Sequence, residues 1–190
     1  MTCYHGSPKK GLKQLNYTED QSRFGGADGL LHGAAIYLTI SENEAKAYAA
    51  GGSCYKLNIN APVFDATDEN ELVNFITKFA SKNDLAIDLF LANYHIQALI
   101  KNTLSGKSSG VIFADHLFTI ISNEFSLYNS VIVEKFNEDS DECLASLNGL
   151  FNYSFVKLNH VGSSEEFRTW VLCLDKDGKG IEILAETEVD

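Results

Sequence analysis

Apolar and polar positions follow two different periods along this chain. "AIYLT" (35–39) is a short β-rich run, and "CYKLNI" (54–59) alternates with the two-residue period of a strand. Between them, "SENEAKAYAAGG" carries the marks of a helix. Ser41 followed three residues later by Glu44 is a capping box, and Gly51-Gly52 supplies the stop. From Asp68 the period lengthens, and Leu72, Phe75, Ile76 and Phe79 fall on one helical face. A second, more uniformly apolar helix is predicted from about Asp84 to Leu104, ending at Ser105-Gly106 and packed on several sides. Strands return at "GVIFA" (110–114), "FTIIS" (118–122) and "SVIVEKF" (130–136), and "DECLASLNGLF" (141–151) is a short amphipathic helix. "YSFVKLNHV" (153–161) and "TWVLCLDKDGKGIEIL" (169–184) read as three strands, the last two joined as a hairpin at Asp177-Gly178.

Strands and helices in this order, without regular alternation, define a mixed α+β class rather than a doubly wound parallel sheet. A chain of 190 residues fits one domain, or one domain with a small appendage, and buries a core without disulfides or metals. With 45% hydrophobic residues and only two prolines, nothing points to disorder. Charge narrows the partners. The formal net charge is −11, and Arg23 and Arg168 are the only arginines, so a groove that tracks phosphate backbones is not expected and nucleic acid is disfavoured. No run approaches the roughly 18 apolar residues that span a bilayer, and the N-terminus lacks a secretory pattern. A cytoplasmic protein with no membrane partner is expected. Cys3, Cys54, Cys143 and Cys173 are scattered, with no C-x-x-C pair and no zinc-finger spacing, which predicts reduced thiols and no metal.

Candidate chemistry begins at the first residues. His5, Gly6, Ser7 and Pro8 form a polar turn directly behind a first strand, "TCYH". An N-terminus is normally the least ordered part of a domain, so a turn there is either frayed or the rim of a site. Tyr37 ends a strand, and Tyr48 follows eleven positions later in the second turn of the next helix. A strand leading through a tight turn into a helix can bring two such rings face to face across a slot that takes a flat heteroaromatic. The plainer alternative is that both rings belong to the core. Glu124, in "SNEFSLYN" (122–129), taken in isolation is a solvated glutamate at a strand end.

In chain order, "YHGS" (4–7), "IYLT" (36–39) with Tyr48 downstream, and "SNEFSLYN" resemble the His-Tyr-Glu class of ADP-ribosyltransferases. That class includes the diphtheria-toxin-like enzymes and the poly(ADP-ribose) polymerases. The resemblance covers roughly residues 3 to 136. It implies an α+β core of two mostly antiparallel sheets around an NAD cleft, formed by residues 1–137 with inserted helices at about 68–104. Residues 138–190 then form a small α+β C-terminal extension, either separate or part of the same domain. NAD is the implied ADP-ribose donor, with no metal. His5 would hydrogen-bond a ribose hydroxyl, and the Gly6 backbone N–H and C=O would hold the nicotinamide carboxamide, a place where a side chain would block close approach. Ser7 adds a side-chain hydrogen bond, Tyr37 and Tyr48 become the walls of the nicotinamide slot, and Thr39 matches the small hydroxyl residue often found two positions after the first tyrosine.

The same resemblance makes Glu124 the catalytic carboxylate, beside His5 and Tyr37. Nicotinamide leaves as a neutral molecule, so the difficulty lies in the positive charge left on the sugar, which a carboxylate at the ribose stabilises much as in glycoside hydrolysis. The implied activity is mono-ADP-ribosylation of a macromolecular acceptor, protein favoured over nucleic acid, in a toxin, effector or phage-encoded modifier. The alternative is a non-catalytic module that binds NAD or a partner on the same fold. Two departures narrow the acceptor and the slot. Ser122 and Asn123 precede Glu124 where arginine-modifying members carry Gln or Glu two positions before it, so arginine is not indicated. Ala45 stands where many relatives carry a nicotinamide-binding serine. Gly33 is expected as a loop hinge with His32 solvated, Asp115-His116 as a loop pair, "SGKSSG" as a loop, and "DKDGKG" as a β-turn rather than a calcium loop.

Overall fold

The computed structural model describes residues 1–16, 35–82, 86–106, 153–161 and 167–189, without the side chains of Phe79 and Lys82. The strands expected within 110–136 and the helix expected at 141–151 lie outside the described residues. So do Glu124, His32, Gly33, Asp115, His116 and Cys143.

Seven strands are present among the described residues: β1 (Thr2–Ser7), β2 (Ile36–Thr39), β3 (Ser53–Ile59), β4 (Val63–Asp65), β5 (Phe155–Val161), β6 (Phe167–Cys173) and β7 (Ile181–Glu188). They hydrogen-bond in the order β4-β5-β6-β2-β1-β3-β7. Every neighbouring pair is antiparallel except β4 with β5. The architecture is mixed α and β, as the sequence implies. The two sheets expected from the resemblance are, among the described residues, one mixed sheet, because β2 joins β6 on one side and touches β1 on the other. Strands β5, β6 and β7 come from the region expected as an extension, and they are built into this same sheet.

Among the described residues four helices accompany the sheet: α1 (Glu42–Tyr48), α2 (Glu69–Lys82), α3 (Ile87–Ala92) and α4 (Tyr94–Leu104). The face predicted for α2 is the one it buries, with Leu72, Phe75 and Ile76 in the core. The long helix expected from Asp84 to Leu104 is instead two. Asn93 adopts an extended backbone, and its side chain accepts hydrogen bonds from the N–H groups of His95 and Ile96, so it ends α3 and caps α4. Leu72, Ile76, Phe90, Ile96 and Leu99 pack with Phe64, Val156, Leu158 and Leu172 on one face of the sheet. Cys3, Leu38, Tyr55, Leu57, Phe155 and Val171 form a second cluster. Strand pleating assigns that second cluster to the opposite face, since Val156 and Phe155, or Leu172 and Val171, are successive residues.

The hairpin expected at Asp177-Gly178 is not formed. The turn is there, with the Gly178 N–H on the Asp175 carbonyl and Gly178 at φ +65°, but it connects strands that are not neighbours. Both edges of β6 are already taken by β5 and β2, so the chain crosses to the far side of the sheet and β7 pairs with β3. The short β4 went unseen because three residues, Val63 to Asp65, acquire strand character only by pairing with β5. Lys157 lies opposite Asp65 in that pairing, and the two form an ion pair at 2.7 Å.

Among the described residues no helix is long and apolar enough to cross a membrane. Cys3, Cys54 and Cys173 are buried free thiols. Burial pushes Cys3 up to about 11 and Cys173 up to about 12, which leaves both as protonated, unreactive thiols near neutral pH.

Candidate functional site

Several of the sequence-predicted residues meet where β1 passes β2. β1 is paired with β3 along its whole length, from Thr2 opposite Asn58 to Ser7 opposite Ser53. Its register with β2 consists of Tyr4 opposite Thr39. Ile36, Tyr37 and Leu38 find their partners on β6, at Cys173, Leu172 and Val171. Beside His5, Gly6 and Ser7 there is thus a seam in the sheet. A side chain spans it, for His5 Nδ1 lies 2.9 Å from the Tyr37 carbonyl oxygen. A carbonyl only accepts, so Nδ1 carries the hydrogen and Nε2 is the acceptor nitrogen of the neutral ring. Burial holds the imidazole below its ordinary pKa, and the bond to the Tyr37 carbonyl works in the opposite direction.

The His-Gly turn expected in the sequence is extended strand. β1 runs on through Gly6 and Ser7, and only beyond them does the chain bend, where buried Ser7 Oγ accepts from the Lys9 N–H at 3.1 Å. Gly6 has a packing reason to be glycine. A Cβ there would sit 1.9 Å from the Ala45 carbonyl oxygen and 2.9 Å from Ala49 N, because the backbone of α1 lies directly on β1. Ala45 itself is buried in that contact.

Tyr37 and Tyr48 approach this corner from different elements. Half-buried Tyr37 is set edge-on to the ring of Trp170, with centroids 5.7 Å apart and planes at 83°. Tyr48, the last residue of α1, is 42% exposed, and its phenol oxygen accepts from Arg168 Nη1 at 2.9 Å. Pleating turns the side chain of His5 to the face of Cys3 and Leu38, and those of Tyr37 and Thr39 to the other face with α1. His5 and Tyr37 thus present their side chains to opposite faces, and what joins them is the bond of Nδ1 to the Tyr37 carbonyl.

The capping box of α1 is only half made. Ser41 Oγ accepts from the Glu44 N–H, but the Glu44 carboxylate turns away from the cap. It accepts from the Thr39 hydroxyl and from Trp170 Nε1, the latter at 2.7 Å, and Arg168 stands 3.7 Å away. Thr39 is buried, and its oxygen also accepts from the Ser41 N–H. Its hydroxyl thus fastens α1 to β2. Trp170 is sandwiched further by His160, stacked at 4.6 Å and 20°. Glu44, Arg168 and Trp170 were not singled out in the sequence. Two signals were available: Trp170 is the chain's one tryptophan, and Arg168 precedes it by two positions, which puts both on one face of a strand.

The residue types present are compatible with a ribosylated nicotinamide: His5 Nε2 is an acceptor that a sugar hydroxyl could use, Gly6 has backbone on the β2 side of β1, and Tyr37 and Tyr48 carry rings. The face of Gly6 that lies against α1 is not open to a ligand, since the backbone of Ala45 fills it. Among the described residues no group of three or more His, Cys, Asp or Glu is placed to hold a metal ion. No family model, no curated protein and no solved structure matches this chain.

Proposed function

We propose that the chain is a mono-ADP-ribosyltransferase, which transfers ADP-ribose from NAD to a macromolecular acceptor and releases nicotinamide. The observation that supports it most is the seam. Residues 32 positions apart in sequence, His5 and Tyr37, are held together by an imidazole on a backbone carbonyl beside the single residue pair, Tyr4 with Thr39, that joins β1 to β2 among the described residues. In this reading His5 Nε2 accepts from a ribose hydroxyl, the Gly6 backbone holds the carboxamide, and Tyr37 and Tyr48 flank the ring. The bond from the ribose anomeric carbon to the pyridinium nitrogen breaks with its electron pair going to nicotinamide. The acceptor's nucleophile then bonds the same carbon and gives up its proton to solvent. Glu124, outside the described residues, supplies the negative charge that the sugar needs as that bond breaks. The net charge of −11 favours a protein acceptor over nucleic acid, and the free thiols fit a cytoplasmic setting.

The test is incubation of the protein with NAD, alone and with cell lysate, followed by quantification of free nicotinamide and of label transferred from NAD. Nicotinamide release with protease-sensitive label is the expected result. Saturable NAD binding without release under either condition replaces the enzyme by a binding module. Absence of binding removes NAD from the account.

A further inference from the structure

The geometry points to Glu44 and Arg168 as positioning residues that set the separation of the two tyrosine walls. This rests on the ADP-ribosyltransferase reading and assigns part of its nicotinamide specificity to side chains that touch no ligand. One carboxylate accepts the hydrogen bonds on the β2 side and pairs at 3.7 Å with the arginine that bonds the other wall. On the β2 side, Glu44 holds Thr39, two residues after Tyr37, and the indole N–H of Trp170, whose ring meets Tyr37 edge-on. On the helix side, Glu44 belongs to α1 itself, one turn before Tyr48, and its Arg168 neighbour bonds the Tyr48 phenol. Glu44 and Arg168 side chains are 13% and 26% exposed, so the pair is shielded enough to hold a fixed geometry. Tyr48 is 42% exposed and ends a seven-residue helix. The Arg168 bond supplies an anchor that links its hydroxyl back to the sheet.

A fixed separation matters for a flat ring and not for the rest of NAD. Loss of the anchor therefore weakens NAD more than ADP-ribose, which carries no nicotinamide. That split is what a purely structural role cannot produce, since a general loosening of the fold lowers both affinities together.

The experiment measures calorimetric affinity for NAD and for ADP-ribose in the parent, Arg168→Leu, Tyr48→Phe and the double variant. Tyr48→Phe keeps the ring and removes only the hydroxyl, so it reports on the anchor even where Arg168→Leu fails to fold. The expected result is a loss of about three- to tenfold for NAD in each single variant, the range of one aromatic contact, with ADP-ribose affinity unchanged. The double variant is no worse than Arg168→Leu, because that substitution already removes the bond to the Tyr48 hydroxyl. Equal losses for NAD and ADP-ribose, or no loss for NAD in Tyr48→Phe, overturn the positioning role while leaving the parent's NAD binding, and with it the functional reading, intact. A parent that binds neither ligand overturns both.

Discussion

One strand of this protein has two unlike edges. Toward β3, β1 is laddered at six successive residues, and the strand beyond it, β7, extends the same pairing. Its far end is tied down as well, for buried Tyr55 of β3 hydrogen-bonds the Lys9 carbonyl and the Leu12 N–H. The Glu186 carboxylate of β7 accepts from Gly11 N and Ser53 Oγ and shares the single Tyr55 hydroxyl hydrogen with the Lys9 carbonyl. Those bonds, that of Gly11 foremost, hold Glu186 below the usual carboxylate pKa. Toward β2, one residue pair and one histidine do the joining. A closed edge spends its backbone groups on the fold, whereas a sparsely paired one, among the described residues, leaves some of them outside the ladder. The same strand thus contributes stability on one side and, in our reading, recognition on the other.

Substitutions can be chosen to break that contrast, and the largest effect is expected at Gly6, which serves both edges. Gly6→Val places a side chain into the backbone of α1 and should cost about 3 kcal/mol, read from urea unfolding, while also lowering NAD affinity. An unchanged unfolding midpoint contradicts the close packing of α1. Next comes the closed edge alone. Tyr55→Phe strips the hydroxyl that serves Lys9, Leu12 and Glu186, and should lose about 1.5 kcal/mol of stability with NAD affinity unaltered. A change in NAD affinity there puts the two edges in one unit. The open edge alone is probed by Tyr37→Leu, which keeps apolar bulk but removes the ring. Calorimetry should show about 1 kcal/mol less NAD affinity, and equal affinity takes Tyr37 out of the site.

The smallest effect is a pH dependence. Burial lowers the His5 pKa below its ordinary 6.5, so between the two values the unfolded chain holds more protons than the folded one, and stability rises with pH. The contribution is complete above about 6.5 and is lost as the pH falls toward the folded value. Comparing urea midpoints of the parent and His5→Asn at pH 7.5 and 5.5 isolates it, and the variant should lose less on acidification. A steeper loss in the variant reverses the sign and denies the burial of His5. At the far edge of the sheet, burial pushes Asp65 up, but hydrogen bonds from Lys157 and Thr67 outweigh it and hold the carboxyl below its usual value. It titrates well below this window.

The contrast between the edges also marks what was legible in the chain. Period and caps identified the elements whose stability is local: the buried face of α2, the Ser41 cap of α1 and the two-residue alternation of β3. Partners across long separations were not legible. The Asp177-Gly178 turn was seen correctly and its strands were paired wrongly, because a turn shows where the chain bends and not which strand awaits beyond. Asn93 carried a cap signal inside an apolar run, and the run masked it. At the candidate site, His5, Gly6, Tyr37 and Tyr48 stand out in the sequence as residue types in order, and the structure places His5 against the Tyr37 carbonyl. The Glu44 link to Thr39, Trp170 and Arg168 was not, since it depends on β6 lying beside β2, some 130 residues away in the chain. Glu44 instead matched a local capping pattern that its side chain does not complete.

The central claim, that this chain breaks the nicotinamide bond of NAD with Glu124 as the catalytic carboxylate, is tested most directly by nicotinamide release from the parent and Glu124→Gln at saturating NAD. Gln keeps the shape and a hydrogen bond but removes the negative charge. Glu124→Gln should bind NAD with nearly normal affinity and release nicotinamide more slowly by about 100-fold or more, roughly 2.7 kcal/mol of transition-state stabilisation. A Glu124→Gln variant that retains most of the parent rate, or a parent that binds NAD and never releases nicotinamide, contradicts it.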